Sequence, residues 1–253
     1  MKIGIIGSGA IATYVADQVA QDPVAKLTGF VTRTDRPGGV TRLADLGEVD
    51  LLVDCAGHPG LSAHGPEALT AGIDVVTLSL GALADDALFN TLTKAAERGG
   101  AKLHLASGAI GALDVLRAAQ VGGLTHVTYT GRKPPAGWRG SPAEHSLDLD
   151  HLTTAALHFD GTAREAALRY PKNANVAAAV ALAGTGFDAT QTQLIADPEA
   201  IGNSHEIRAE GAFGTCHFTL TGTSLPDNPK SSALAAMSAV AALRQAARPW
   251  GFL

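Results

Sequence analysis

The sequence predicts an α/β chain in which a doubly wound parallel sheet is followed by a second, α+β domain carrying a mixed sheet. Three observations lead there. The chain opens on an apolar strand, Lys2 to Ile6, that runs straight into glycines and then a helical pattern through Val15 and Val19. Strand-like and helix-like segments then alternate at short intervals up to residue 108, the rhythm of βαβ units on a parallel sheet. Beyond that point the strands alternate polar and apolar residues, which suits a sheet with one covered face.

The elements follow in order. Asp22-Pro23 ends the first helix, because proline lacks the amide hydrogen and clashes with the preceding turn. Leu27 to Thr32 is the second strand, Thr41 to Leu46 a short helix, and Val49 to Cys55 the third strand, entering the loop Ala56-Gly57-His58-Pro59-Gly60. A helix over Leu61 to Ala71, a strand over Asp74 to Leu78, a helix over Ala82 to Arg98 and a strand over Lys102 to Leu105 complete a first domain, residues 1–108. In a second domain, residues 109–230, Ala112 to Gln120, Thr162 to Tyr170 and Asn175 to Leu182 read as helices. Thr125 to Arg132, Thr190 to Ala196, His205 to Glu210 and Gly214 to Gly222 read as strands. An alanine-rich helix within residues 231–253, begun by Ser231 or Ser232, is expected to pack back on the first domain.

Composition narrows the function. Hydrophobic residues at 46% and charged residues at 17% describe a globular chain rather than a disordered or fibrous one. A net charge of -5 offers no basic footprint for nucleic acid. Cys55 and Cys216 are too few for a disulfide scaffold and lack zinc-site spacing, and no other set of residues has the spacing of a metal site. The start of the chain lacks a charged segment followed by an apolar stretch and cleavage site, and the run Val176 to Gly184 is far short of the roughly 20 residues that span a bilayer. These features together predict a cytoplasmic protein with no membrane partner.

Gly7-x-Gly9-x-x-Ala12 has a physical reading. Gly7 permits the tight turn, Gly9 lets backbone approach a pyrophosphate, and Ala12 lets the helix lie close to the strand, with the helix N-terminus at Ala10 and Ile11 facing phosphate. Sitting between a strand and a helix, the pattern predicts a Rossmann-type dinucleotide site. The ribose-reading position after the second strand is Thr32, followed by Arg33, where NAD users carry an acid. Arg33 would pair with the extra phosphate of NADP, although nearby Asp35 is an alternative acid, so the cofactor is NAD or NADP with a lean to NADP. His58, at the carboxyl edge of the sheet, is a candidate for lining the nicotinamide site.

Among nine histidines, His205 in Asn203-Ser204-His205-Glu206-Ile207 stands out, where a loop rich in hydrogen-bonding side chains enters a strand. His145, His151 and His158 are read as a solvated face, and His217 as sheet surface. Lys133, held beside Pro134 and Pro135, is a better carboxylate partner than Arg139.

Several segments together resemble the L-aspartate dehydrogenase family: residues 4–11 (GIIGSGAI), 107–114 (SGAIGALD), 128–135 (TYTGRKPP), 172–178 (KNANVAA) and 225–230 (LPDNPK). The resemblance spans nearly the whole chain. It implies an NAD(P)-dependent oxidative deamination of L-aspartate to iminoaspartate, which hydrolyses to oxaloacetate and ammonia or feeds NAD biosynthesis. It also implies His205 as the catalytic histidine, Ala109 and Asn175 as further cofactor contacts, and a homodimer. Two other readings stay open on the residues alone: a reductase of another small dicarboxylate or semialdehyde, and a dinucleotide-sensing protein without turnover.

Overall fold

The computed structural model describes residues 1–34, 37–226 and 228–249. Two compact units emerge, one made of Met1–Gly108 with the C-terminal residues from Ala235, the other of Ala109–Leu234.

The first unit is a parallel sheet wrapped by helices. In chain order it contains β1 (Lys2–Ile6), α1 (Ala10–Ala20), β2 (Lys26–Val31), β3 (Gly39–Val40), β4 (Leu51–Asp54), α2 (His58–Thr70), β5 (Asp74–Thr77), α3 (Asp86–Gly99) and β6 (Leu103–Leu105). The strands are ordered β3-β2-β1-β4-β5-β6, so the chain leaves β1 in one direction and returns in the other. That reversal beside β1 is where such folds open a crevice at the carboxyl ends of the strands. The central strands are near-continuous apolar runs because both faces are covered: Ile3, Ile5, Leu52, Val53 and Val76 are fully enclosed.

Two helices differ from the expectation. The segment from Ala82 to Arg98 is not one helix, because Asp85 accepts hydrogen bonds from the Ala87 and Leu88 amides (2.9 and 3.2 Å) and so starts α3 afresh after a 3-10 turn at Leu80–Ala84. The segment Thr41 to Leu46 forms only a 3-10 turn, Leu43–Asp45.

The second unit contains α4 (Leu113–Gly122), β7 (Leu124–Lys133), β8 (Ala156–Thr162), α5 (Ala163–Arg169), α6 (Asn175–Ala183), β9 (Gln191–Ala196), β10 (Asn203–Gly211), β11 (Gly214–Gly222), and a short antiparallel pair, β12 (Ser224–Leu225) with β13 (Asn228–Ser232). The five-stranded sheet runs β11-β10-β7-β9-β8; only β7 and β9 are parallel, so the sheet is mixed. Val127, Tyr129, Leu194, His205, Ile207 and Ala209 alternate onto its buried face. The strand β8 was not anticipated, and Ser231 and Ser232 end β13 rather than lying in the terminal helix.

The last helix, α7 (Ala233–Ala247), belongs with the first unit from Ala235 onward. Its Ala239, Val240 and Leu243 join the core formed by Ile3, Ala12, Val15 and Val53, and Arg244 reaches Asp22 at 3.3 Å. Among the described residues no helix is long and apolar enough to cross a membrane.

Candidate active site

In the first unit the glycine turn leaves β1 with Gly7 at φ +102°, a conformation that L side chains rarely adopt. A Cβ there would also lie 3.1 Å from both the Cys55 carbonyl oxygen and the Ala56 Cβ, so glycine is required twice over. Gly9 is different. Its backbone is extended, and a Cβ built on it meets nothing within 4 Å. It caps α1 without any side-chain hydrogen bond, and the first turn holds no acid, so the amides around Ala10 and Ile11 have no competing anion. Open space in front of an uncapped helix N-terminus fits the pyrophosphate of a dinucleotide.

Around this turn, the Thr32 hydroxyl donates to the Thr34 carbonyl (2.8 Å), and the neighbouring Arg33 is exposed. Asp35, the alternative acid, lies outside the described residues. His58 is not in a loop: it is the first residue of α2, because Gly57 at φ +75° turns the chain and Pro59 favours a helix start.

A buried group that the sequence reading missed braces this edge. Asp54, at the end of β4, is fully enclosed. It accepts from the Ala56 amide (3.0 Å) and from the hydroxyls of Thr77 (2.8 Å) and Ser79 (2.6 Å). Burial raises its pKa, against those hydrogen bonds. The network joins the ends of β4 and β5 and so fixes the turn that leads to Gly57 and His58.

The second unit holds the titratable cluster. His205 is not at a loop edge but inside β10, opposite Gly131 of β7, and is only 4% exposed. Its Nδ1 lies 2.8 Å from the Tyr129 hydroxyl. Its Nε2 has no hydrogen-bond partner among the described residues and is not sealed off from solvent. Burial first, and the nearby Lys133 second, push its pKa down to about 4, so the ring is neutral through the physiological range.

Lys133 ends β7, where Pro134 stops the strand. Its Nζ donates to the Asn173 carbonyl oxygen at 2.7 Å and sits 4.8 Å from the Trp138 ring centre. Burial lowers its pKa to about 8. His158 is a correction to the sequence reading: it lies on β8, half-buried, edge-on to Trp138 (4.3 Å between ring centres), with Nδ1 3.2 Å from the Tyr170 hydroxyl. Burial and then Lys133 bring it to about 4 as well. By contrast His151 and His217 are exposed and paired with Asp148 and Glu206, and Arg139 pairs with exposed Asp150.

Asn175 opens α6, and Ala109 is buried at the start of the second unit, just after Gly108 at φ +70°. The sequence reading gave Tyr129, Trp138, Tyr170 and Asn173 no role, although Tyr129 and Asn173 lie in segments that carry the resemblance; their contacts with His205, His158 and Lys133 mark them. Among the described residues there is no cluster that could hold a metal ion.

Comparison with known proteins adds the family. Residues 114–246 match the model for the C-terminal region of aspartate dehydrogenase, and residues 7–106 match that for the NAD-binding domain of homoserine dehydrogenase. The chain is 57% identical to the L-aspartate dehydrogenase of Ruegeria pomeroyi over 256 residues, covering 97% of this chain and 92% of that one. The chain belongs to the L-aspartate dehydrogenase family. It is 46% identical to the Pseudomonas aeruginosa member, with 96% of each chain covered. The crystal structure of the Thermotoga maritima aspartate dehydrogenase shares the fold, with a TM-score of 0.76 at 24% identity over 100% of this chain and 99% of that one. As a family member the chain is an oxidoreductase that uses a nicotinamide cofactor and a small-molecule substrate.

Proposed function

We propose that this chain oxidises L-aspartate to iminoaspartate with NAD or NADP, the imine then hydrolysing to oxaloacetate and ammonia or entering NAD biosynthesis. The observation that carries the residue assignments is geometric: β10 sets His205 opposite Gly131, two residues before Lys133 on β7, with the imidazole held by Tyr129 and the amine by Asn173. A bound nicotinamide supplies the hydride acceptor at its C4. Gly7, Gly9, Ala10 and Ile11 would hold its pyrophosphate and Arg33 the 2'-phosphate of NADP, with His58, Ala109 and Asn175 as further contacts. The Arg33 assignment carries the lean to NADP.

Hydride leaves Cα only when the amine lone pair can form the C=N bond, so the substrate ammonium must first lose a proton. His205 Nε2 takes that proton, and in the hydrolytic branch the same atom activates water. Lys133 receives a substrate carboxylate, and Asn173 holds its Nζ in place. Pairing Lys133 with a carboxylate offsets the repulsion it exerts on His205, so substrate binding itself raises the basicity of the imidazole. The working unit is a homodimer in the cytoplasm. Its interface is the outer face of the β11-β10-β7-β9-β8 sheet, where Glu206, Arg208 and His217 point away from the core.

His205→Ala tests the assignment. Turnover with L-aspartate is expected to fall on the order of 10²- to 10⁴-fold, the usual share of a positioned acid–base group, while NAD(P)H affinity measured by fluorescence stays as in the parent. A variant that keeps its turnover removes His205 from the chemistry.

A further inference from the structure

We propose that Tyr129 is a positioning residue for His205, holding the imidazole by Nδ1 so that Nε2 is the nitrogen left for proton transfer. The inference rests on the reading of His205 given above. Tyr129 and Gly131 of β7 and His205 of β10 share the buried face of the sheet, with Gly131 directly opposite His205. The phenol oxygen lies 2.8 Å from Nδ1, and the two rings stack at 6.0 Å with 18° between their planes. Tyr129 is 1% exposed, and its hydroxyl makes no second hydrogen bond among the described residues.

Gly131 makes room for this contact. A Cβ at that position would stand 2.7 Å from the Tyr129 hydroxyl and 3.2 Å from Cζ, so any larger residue displaces the phenol from the ring it holds. Burial raises the phenol's pKa, which keeps the hydroxyl un-ionised. For Nε2 to accept a proton the resting ring must carry its hydrogen on Nδ1 and donate it to the phenol oxygen, and that same bond persists when Nε2 gains a proton. A carboxylate in its place would bring a second charge into a buried site.

The test compares wild type, Tyr129→Phe, Gly131→Ala, the double variant and His205→Ala. Tyr129→Phe keeps every carbon of the ring, and kcat with L-aspartate is expected to fall about tenfold, the scale of one hydrogen bond, with cofactor KM unchanged and the unfolding temperature lowered by only a few degrees. Gly131→Ala is expected to lose at least as much. Adding Tyr129→Phe to it should cost little more, because the atom it collides with is gone. In parallel, the ring-nitrogen NMR shifts of His205, assigned by their loss in His205→Ala, should move in Tyr129→Phe.

Unmoved ring shifts overturn the proposal whatever happens to kcat, and so do an unchanged kcat or fully additive losses. If wild type does not oxidise L-aspartate, the functional reading fails by itself. The ring shifts then still decide the role of Tyr129, with movement supporting it and none refuting it.

Discussion

Lys133→Met isolates what burial does to the amine. The ordinary lysine value of 10.5 falls to about 8 in the folded chain, because the enclosed ammonium has lost water. Below pH 8 both the folded and the unfolded chain carry the proton, and the folded one bears the cost of a buried charge. Between about 8 and 10.5 the folded chain has released a proton that the unfolded chain still binds, so stability rises with pH through that window and levels off above it. At 1.36 kcal/mol per pKa unit, the rise is about 3 kcal/mol.

Methionine fills a similar volume without a titrating group, so the variant should lack this rise. Whatever the lost bond to Asn173 contributes in either protonation state is already contained in the lowered pKa, so the change in the difference between the two pH values follows from that pKa. Urea unfolding followed by Trp138 fluorescence in a Trp250→Phe background, at pH 7 and pH 10.5, measures the difference between parent and variant. That difference should change by about 3 kcal/mol across the window, in the direction that favours the parent at high pH. A difference independent of pH would refute the buried-amine assignment. The same variant should lose about 10- to 100-fold in kcat/KM for L-aspartate, the value of one charge-assisted hydrogen bond.

Other perturbations separate cofactor from substrate roles. Gly9→Val places a side chain where the protein leaves open space, so unfolding temperature should hold while NAD(P)H affinity falls at least tenfold; tight binding by the variant would move the pyrophosphate elsewhere. Arg33→Ala should weaken NADP more than NAD in titrations of each, and equal losses would show that it does not read the phosphate.

The first unit was legible because its signals are local. A strand, two glycines and a helix sit within twenty residues, and the apolar runs of a doubly covered sheet survive in any context. The helix break at Asp85 was missed because a capping aspartate and a surface aspartate look alike until the Ala87 and Leu88 amides are seen to face it. The second unit was harder for a topological reason. His205 and Tyr129 are 76 residues apart, and Lys133 and Asn173 are 40 apart; they meet because β10 pairs with β7 and the segment before α6 returns to its end. His205 was singled out by its polar segment and by the family resemblance, and Lys133 by the two prolines beside it. His158 was misread as solvated because the strand that carries it, and the tryptophan it packs on, come from segments with no motif.

The most direct measurement is the initial rate of cofactor reduction with L-aspartate, NAD and NADP being tested separately and D-aspartate, L-glutamate and L-homoserine serving as controls. Turnover with L-aspartate alone, faster with NADP, is the predicted result. Tight cofactor binding with no turnover on L-aspartate, or turnover that prefers L-homoserine or L-glutamate, would contradict the assignment of His205 and Lys133 to aspartate chemistry.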